Sequence, residues 1–325
     1  MPLNGEATTA GRPVRVLLTG WFSFLHGEVT AGDMLAAEAV QDALRAASVP
    51  YTTAWSPVYR PDAPHLDDAD PDAYTHLIFA CGPVHSRPDP DGGPSPLMAL
   101  HRRFAGCRRI AVGVSVPDPA DPAATGFHDL LPRDSARQAE AGQTTADLSV
   151  RAARPAPVPL LGVVLTGGQH EYGPRRRHAE VSEALETWLG TLDAARLPLD
   201  TRLDTRDWRI PATPAQLHAV LGRLDAVVTT RLHGLVLALR AGTPALAVDP
   251  VAGGAKVSAQ AAALDWPAAL TSESVTPQNL DELLAWCLTP EARHRASRTA
   301  DRSPLPHPLL DALIQRLAPS DGPTA

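Results

Sequence analysis

The sequence predicts an α/β fold of two domains, each built on a mostly parallel sheet. Three observations carry that expectation. Apolar runs of strand length alternate with segments of helical spacing in both halves of the chain. The alternation stops in a proline-rich stretch, Ala153 to Pro159, and restarts at Leu160. At 325 residues the chain is too long for one ordinary core. These observations divide the chain into an N-terminal domain, 12–155, and a C-terminal domain, 158–318. Pairs of such domains commonly face one another across a cleft.

In the first domain, Val14 to Gly20 is a buried strand closed by glycine. A polar-aromatic loop follows, with Trp21, Phe22, Ser23, His26, Gly27, Glu28, Gly32 and Asp33. Met34 to Ala47 has helical spacing, because Leu35, Ala39, Val40, Ala43 and Leu44 share one side. Tyr51 to Trp55 supplies a second strand and residues 56–72 a loop rich in proline and aspartate. His76 to Ala80 is a third strand, ending in Cys81-Gly82-Pro83. Leu97 to Phe104 is helical, and Arg109 to Val114 is a fourth, buried strand. Residues 115–157 hold many prolines and few periodic positions, and they predict no element.

The second domain opens with a strand, Leu160 to Leu165, and the loop Thr166-Gly167-Gly168-Gln169-His170. A helix from near Pro174 carries Val181, Leu185, Trp188 and Leu189 inward and Arg175-Arg176-Arg177 on an early turn. Leu197 to Leu203 is a candidate strand. Thr213-Pro214 begins another helix, with a capping side chain and proline at the first helical position. Past the site, Val257 to Leu264, Leu280 to Leu288 and Pro308 to Leu317 are helical.

Asp225 to Lys256 is the most informative stretch. Val227 to Thr230 is a β-branched run suited to a buried strand. Arg231, His233 and Gly234 follow, then an apolar helix, Leu235 to Ala241, stopped by Gly242 and Pro244. Ala245 to Val248 is the next strand, and its loop carries Gly253, Gly254 and Lys256. Strand, helix and strand make two parallel neighbours of one sheet. The polar residues sit at the first strand's carboxyl end, where open parallel sheets bind ligands. The amides that open the helix attract anions. Lys256 is the single lysine among 29 lysines and arginines. A lone lysine in an arginine-rich chain suggests a need for a compact ammonium rather than a planar fork.

Bulk properties narrow the function. Hydrophobic content of 44% and charged content of 20% describe a soluble globular chain. A formal net charge of −7 argues against non-specific nucleic-acid binding, which needs a basic face. Cys81, Cys107 and Cys287 are widely spaced and suit reduced, buried thiols of a cytoplasmic protein. No basic start precedes an apolar core at the N-terminus, and no apolar run approaches the roughly 20 residues of a membrane span. Gly113-Val114-Ser115-Val116-Pro117 lacks the second glycine of a nucleophile elbow. Gly253-Gly254-Ala255-Lys256-Val257 lacks the spacing and hydroxyl of a phosphate-binding P-loop, and no histidine pair has metal-ligand spacing.

Arg231-Leu232-His233-Gly234-Leu235, with Ala238, Ala241-Gly242-Thr243-Pro244 and Lys256-Val257, resembles the C-terminal signature of polysaccharide pyruvyl transferases. Leu224 to Thr230 also fits. Gly27 to Asp33 is similar to the family's glycine-rich loop, although Glu28 stands where asparagine is common. Leu131-Pro132-Arg133-Asp134-Ser135 resembles the family's Arg-Asp segment. The resemblance runs from about Val14 to Lys256 and is dense in the last third. It implies two Rossmann-like domains in a GT-B-like fold. The implied activity is transfer of a carboxyvinyl-derived unit from phosphoenolpyruvate to a sugar, forming a pyruvate ketal, with phosphoenolpyruvate as co-substrate and no cofactor or metal. The acceptor is a sugar of a cell-surface polysaccharide or its lipid-linked precursor, which allows peripheral membrane contact.

That chemistry assigns roles. Arg231 offers a fork for a carboxylate or phosphate, Lys256 a point charge, and the helix starting near Gly234 its amides. His233 is the candidate proton carrier, with protonation coupled to donor binding. Asp33 either accepts from sugar hydroxyls or caps the helix after it. Arg133, His170 and the Arg175-Arg176-Arg177 run are further candidates for substrate contact or for solvated faces. Two other functions suit the same residues: a GT-B glycosyltransferase with a nucleotide-sugar donor, and a non-catalytic relative that binds glycans or anions.

Overall fold

The computed structural model describes residues 12–88, 92–135, 144–301 and 307–317. The chain divides into two compact units, Met1–Pro155 and Ala156–Ala325. The first contains β1 (Val16–Thr19), α1 (Ala31–Ala46), β2 (Tyr51–Thr53), β3 (His76–Ala80), α2 (Pro96–Arg103), β4 (Arg108–Val116), α3 (Pro122–Thr125) and β5 (Asp129–Ser135). These strands form one parallel sheet in the order β2-β1-β3-β4-β5. β1 is buried along its whole length, as its apolar run requires. β5 lies in the stretch for which the sequence predicted nothing. Pro132 cannot donate to the ladder, and the pairing with β4 shifts register around it. An edge strand tolerates that irregularity, but the apolar period is lost.

The second unit contains β6 (Leu160–Val164), α4 (His178–Thr191), β7 (Ala195–Pro198), α5 (Pro214–Leu221), β8 (Ala226–Thr229), α6 (Leu232–Arg240), β9 (Ala245–Asp249), α7 (Lys256–Ala263), β10 (Ala269–Thr271), α8 (Pro277–Cys287), α9 (Pro290–Asp301) and α10 (Pro308–Leu317). Its parallel sheet has the order β10-β9-β8-β6-β7. β8 and β9 are buried throughout, and Leu161, Leu185, Trp188, Leu235 and Leu246 pack in the surrounding core. Both units are therefore Rossmann-like α/β folds. Among the described residues no helix is long and apolar enough to cross a membrane.

Two expectations change. The helix expected from Pro174 begins at His178, because Pro174 and Gly173, at φ 51°, break the turn before it. The strand expected over Leu197 to Leu203 runs Ala195–Pro198 and is exposed along its length. α9 has no apolar stripe in sequence, because it packs through the small side chains of Ala292 and Ala296.

The strand orders fix where ligands can enter. In each sheet the chain first moves outward, from β1 to β2 or from β6 to β7. It then reverses to the other side of its first strand, to β3 or to β8. Such a reversal leaves a crevice beyond the carboxyl ends of the two strands. In the first unit this crevice is filled. The Trp21 indole N–H donates to the Pro83 carbonyl at 2.9 Å, and its ring stacks on His85 with centroids 5.0 Å apart. Gly82, at φ 71°, lets the ring in, since a Cβ there would lie 2.3 Å from Trp21 Cδ1. In the second unit, the crevice between β6 and β8 is open.

Candidate functional site

A pocket of about 440 Å³ occupies that crevice. Thr166, Gly168 and Gln169 reach it from the end of β6, and Thr201 and Arg202 from the loop after β7. Arg231, Leu232 and His233 come from the end of β8, and Lys256 from the start of α7. The Arg231 guanidinium, the His233 imidazole and the ammonium of the chain's one lysine thus line a single cavity.

Backbone lacing at the strand ends sets the turn that carries Arg231 and His233. The buried Thr229 hydroxyl donates to the Val164 carbonyl at 2.9 Å and accepts the Arg231 N–H at 2.9 Å. The Thr230 hydroxyl accepts the Thr166 N–H at 2.9 Å. α6 then packs down on β8 so closely that a Cβ at Gly234 would stand 2.0 Å from Thr229 Oγ1. Glycine is required here for close approach. No side chain caps α6 at Arg231, so its first-turn amides are available to a ligand.

The Arg231 guanidinium is oriented by Asp200 and by the Thr201 hydroxyl, the latter at 3.1 Å. Asp200 also accepts the Arg202 backbone N–H at 3.0 Å and its Nε–H at 2.7 Å. Burial works against ionisation of Asp200. The bonds from Arg202 and the charges of Arg231 and Arg202 outweigh it and hold the carboxyl below the ordinary carboxylate range.

Lys256 is placed by Asp249, whose side chain is almost wholly buried at the end of β9. The carboxylate accepts the N–H groups of Val251 at 3.2 Å, Ala255 at 2.7 Å and Ser258 at 2.9 Å. It therefore fixes both the loop and the first turn of α7. Glu273 accepts the Gly253 N–H at 2.9 Å, and that bond is the largest of those holding its carboxyl at about 2. The Lys256 ammonium lies 3.5 Å from Glu171 Oε1 and 5.7 Å from the centre of the Tyr172 ring.

The other candidate residues are not among those lining this pocket. Asp33 closes a capping box at the start of α1: its carboxylate accepts the Thr30 hydroxyl at 2.8 Å, and its N–H donates to that hydroxyl at 3.1 Å. Arg133 bonds Asp134, Asp147 and Ser115 within the first unit. His170 is exposed on the turn after Gln169 and does not line the crevice. Arg175 donates to the carbonyls of Ala252 and Gly254, and the Arg177 N–H to that of Pro250, so these two clamp the loop ahead of Lys256. The sequence reading missed Asp200, Asp249 and Gln169. An aspartate at a strand's carboxyl end was the one signal available for Asp249.

A second pocket, of about 620 Å³, adjoins the first and shares Thr201 and His233 with it. Its remaining walls are mainly apolar, from Leu203, Pro214, Leu217, Leu221 and Leu237.

Comparison with known proteins bears on the same region. The family model of polysaccharide pyruvyl transferase matches residues 193–250. No curated protein matches the sequence. Among solved structures, the chain is similar to the glycotransferase of kitacinnamycin, at 16% identity over 95% of this chain and 100% of that one, with a TM-score of 0.34. It is similar to the spinosyn forosaminyltransferase SpnP, at 14% identity over 95% and 100%, with a TM-score of 0.33. Acinetobacter baumannii MurG gives 14% identity over 94% and 100%, also with a TM-score of 0.33. The segment matched by the polysaccharide pyruvyl transferase model runs from just before β7 through the end of β9 and holds the Arg231–His233–Gly234 turn.

Proposed function

We propose that the protein is a pyruvyl transferase, moving the three-carbon unit of phosphoenolpyruvate onto two hydroxyls of a sugar as a ketal. The observation that carries this reading is the convergence of Arg231, His233 and Lys256 on one crevice beside the uncapped start of α6. The donor bears a carboxylate and a phosphate, and this site offers a fork, a point charge and directed amides. Arg231 and Lys256 hold the two anionic groups, and the α6 amides take a further oxygen. Protonated His233 delivers a proton to the methylene carbon as one sugar hydroxyl adds at the carbon bearing phosphate. The C=C bond becomes a methyl group. Phosphate departs with the C–O electron pair, and the second hydroxyl adds at the same carbon. Of the two hydroxyl protons, one finishes on the methyl group and the other on phosphate. The acceptor is a sugar of a surface polysaccharide or its lipid-linked precursor, and the reaction runs in the cytoplasm.

The apolar pocket beyond His233 supports a second reading, a nucleotide-sugar donor whose base enters it while the diphosphate meets Arg231 and Lys256. Incubating the protein with phosphoenolpyruvate and candidate glycans separates the two. Glycan-dependent phosphate release, with a product heavier by one carboxyethylidene group, supports the first. His233→Gln should then lose turnover about a hundredfold or more, and near-normal turnover removes His233 from the mechanism. Binding of a nucleotide sugar without binding of phosphoenolpyruvate transfers the assignment to the second reading.

A further inference from the structure

Gln169 stands at the wall of the crevice with a backbone at φ 85° and ψ 58°. Side chains other than glycine and asparagine enter this left-handed region at a cost. Strain of this kind persists where the surroundings impose it, and it marks candidate functional positions. Gln169 lines the crevice together with Arg231, His233 and Lys256. Behind it lies His178, the first residue of α4, whose side chain is 3% exposed. His178 Nε2 is 3.2 Å from Gln169 Oε1, and His178 Nδ1 has no hydrogen-bond partner among the described residues.

The chemistry of the pair sets its direction. Burial, and after it the charge of Arg176, pushes His178 below the ordinary histidine range. The imidazole is therefore neutral at pH 7 and carries one N–H. Placed on Nε2, that hydrogen donates to the amide oxygen of Gln169. The amide oxygen is then occupied, and the NH₂ group is the end left to donate.

We propose that Gln169 contacts the anionic donor through its amide NH₂, and that His178 is a positioning residue that keeps the amide oxygen turned away from the ligand. Arg231 and Lys256 supply charge, and Gln169 supplies a neutral, directed donor to one oxyanion oxygen. The identity of the donor rests on the pyruvyl transferase reading; the contact itself requires only an anionic ligand.

The test is titration of the full-length protein with phosphoenolpyruvate and, separately, with pyrophosphate, alongside thermal melts. Gln169→Gly relieves the backbone while deleting the amide. It should melt no lower than wild type and bind phosphoenolpyruvate about tenfold more weakly, the scale of one hydrogen bond to a charged group. Gln169→Glu keeps the shape but presents a carboxylate, and should weaken binding about a hundredfold. His178→Leu should weaken binding severalfold, and His178→Gln, which can still donate to Oε1, should restore most of it. Binding by Gln169→Gly and Gln169→Glu within about twofold of wild type overturns the proposal, as does equal binding by the two His178 variants. If wild type binds pyrophosphate but not phosphoenolpyruvate, the pyruvyl transferase reading fails, and the same variants decide the Gln169 contact with pyrophosphate. If wild type binds neither, both fall.

Discussion

Arg231, where β8 gives way to α6, is held by Asp200 from the loop after β7, and each side chain is 24% exposed. The pair is neither a surface ion pair nor a buried one, so its loss should cost about 1–2 kcal/mol of stability. Its pH dependence follows from the direction of the Asp200 shift. The folded carboxyl lies below its unfolded value of about 3.9, so the pair's contribution is fully present above that value and lost as pH falls through the folded one. The stability difference between wild type and Asp200→Asn should therefore be flat from pH 7 to about 5 and shrink below about 4. Paired denaturation curves at each pH give that difference. A gap that closes between pH 7 and 5 assigns the effect to another group.

The part of this site legible in sequence is the part built from neighbours along the chain. Arg231, His233 and Gly234 follow an apolar β-branched run and precede an apolar helix, and strand-to-helix turns of parallel sheets fall at the ligand edge. Lys256 was legible through its rarity. Asp200 was not, because its partner is 31 residues away and the order β8-β6-β7 alone brings them together. His178 and Gln169 were hidden by the broken turn at Gly173 and Pro174, which the apolar period cannot see. In the first unit, the sequence shows strands ending in Gly20 and in Cys81-Gly82-Pro83 but not what lies between them. The Trp21 ring that fills the crevice there gives no periodic signal, because it sits in a single three-residue 3-10 turn.

Lys256 shares its charge with Glu171, an exposed carboxylate that a bound anion must compete with. Glu171→Gln should therefore tighten phosphoenolpyruvate binding by about two- to fivefold, the worth of an exposed pair. Lys256→Met should weaken it by roughly tenfold or more, and Lys256→Arg should recover only part, since a planar fork cannot replace a compact ammonium. Titration calorimetry on the three variants measures this. Full recovery by arginine removes the argument from the lone lysine.

Asp249 holds three backbone N–H groups with a carboxylate that is 1% exposed. Asp249→Asn keeps the volume but removes the charge and turns an NH₂ group toward one or more of those donors. The expected loss is about 2–4 kcal/mol of stability. The loop from Val251 to Ala255 should also exchange its amide hydrogens faster than in wild type. Unchanged exchange in this loop, with lower global stability, limits Asp249 to the core of the sheet.

Gly234 and Thr229 provide the sharpest test of how the Arg231 turn is built. A Cβ on residue 234 would meet Thr229 Oγ1 at 2.0 Å and Thr229 Cβ at 2.9 Å. Gly234→Ala must push α6 away from β8, at a cost of about 2–3 kcal/mol. Thr229→Ala removes the nearer contact but also the bonds to Val164 and Arg231, costing about 1–2 kcal/mol alone. Because the two changes meet at one contact, they should not add. The double variant should be more stable than the sum of the singles by about 1 kcal/mol, measurable in a double-mutant cycle of chemical denaturation. Strict additivity would mean that α6 accommodates the methyl group by a route that does not involve Thr229.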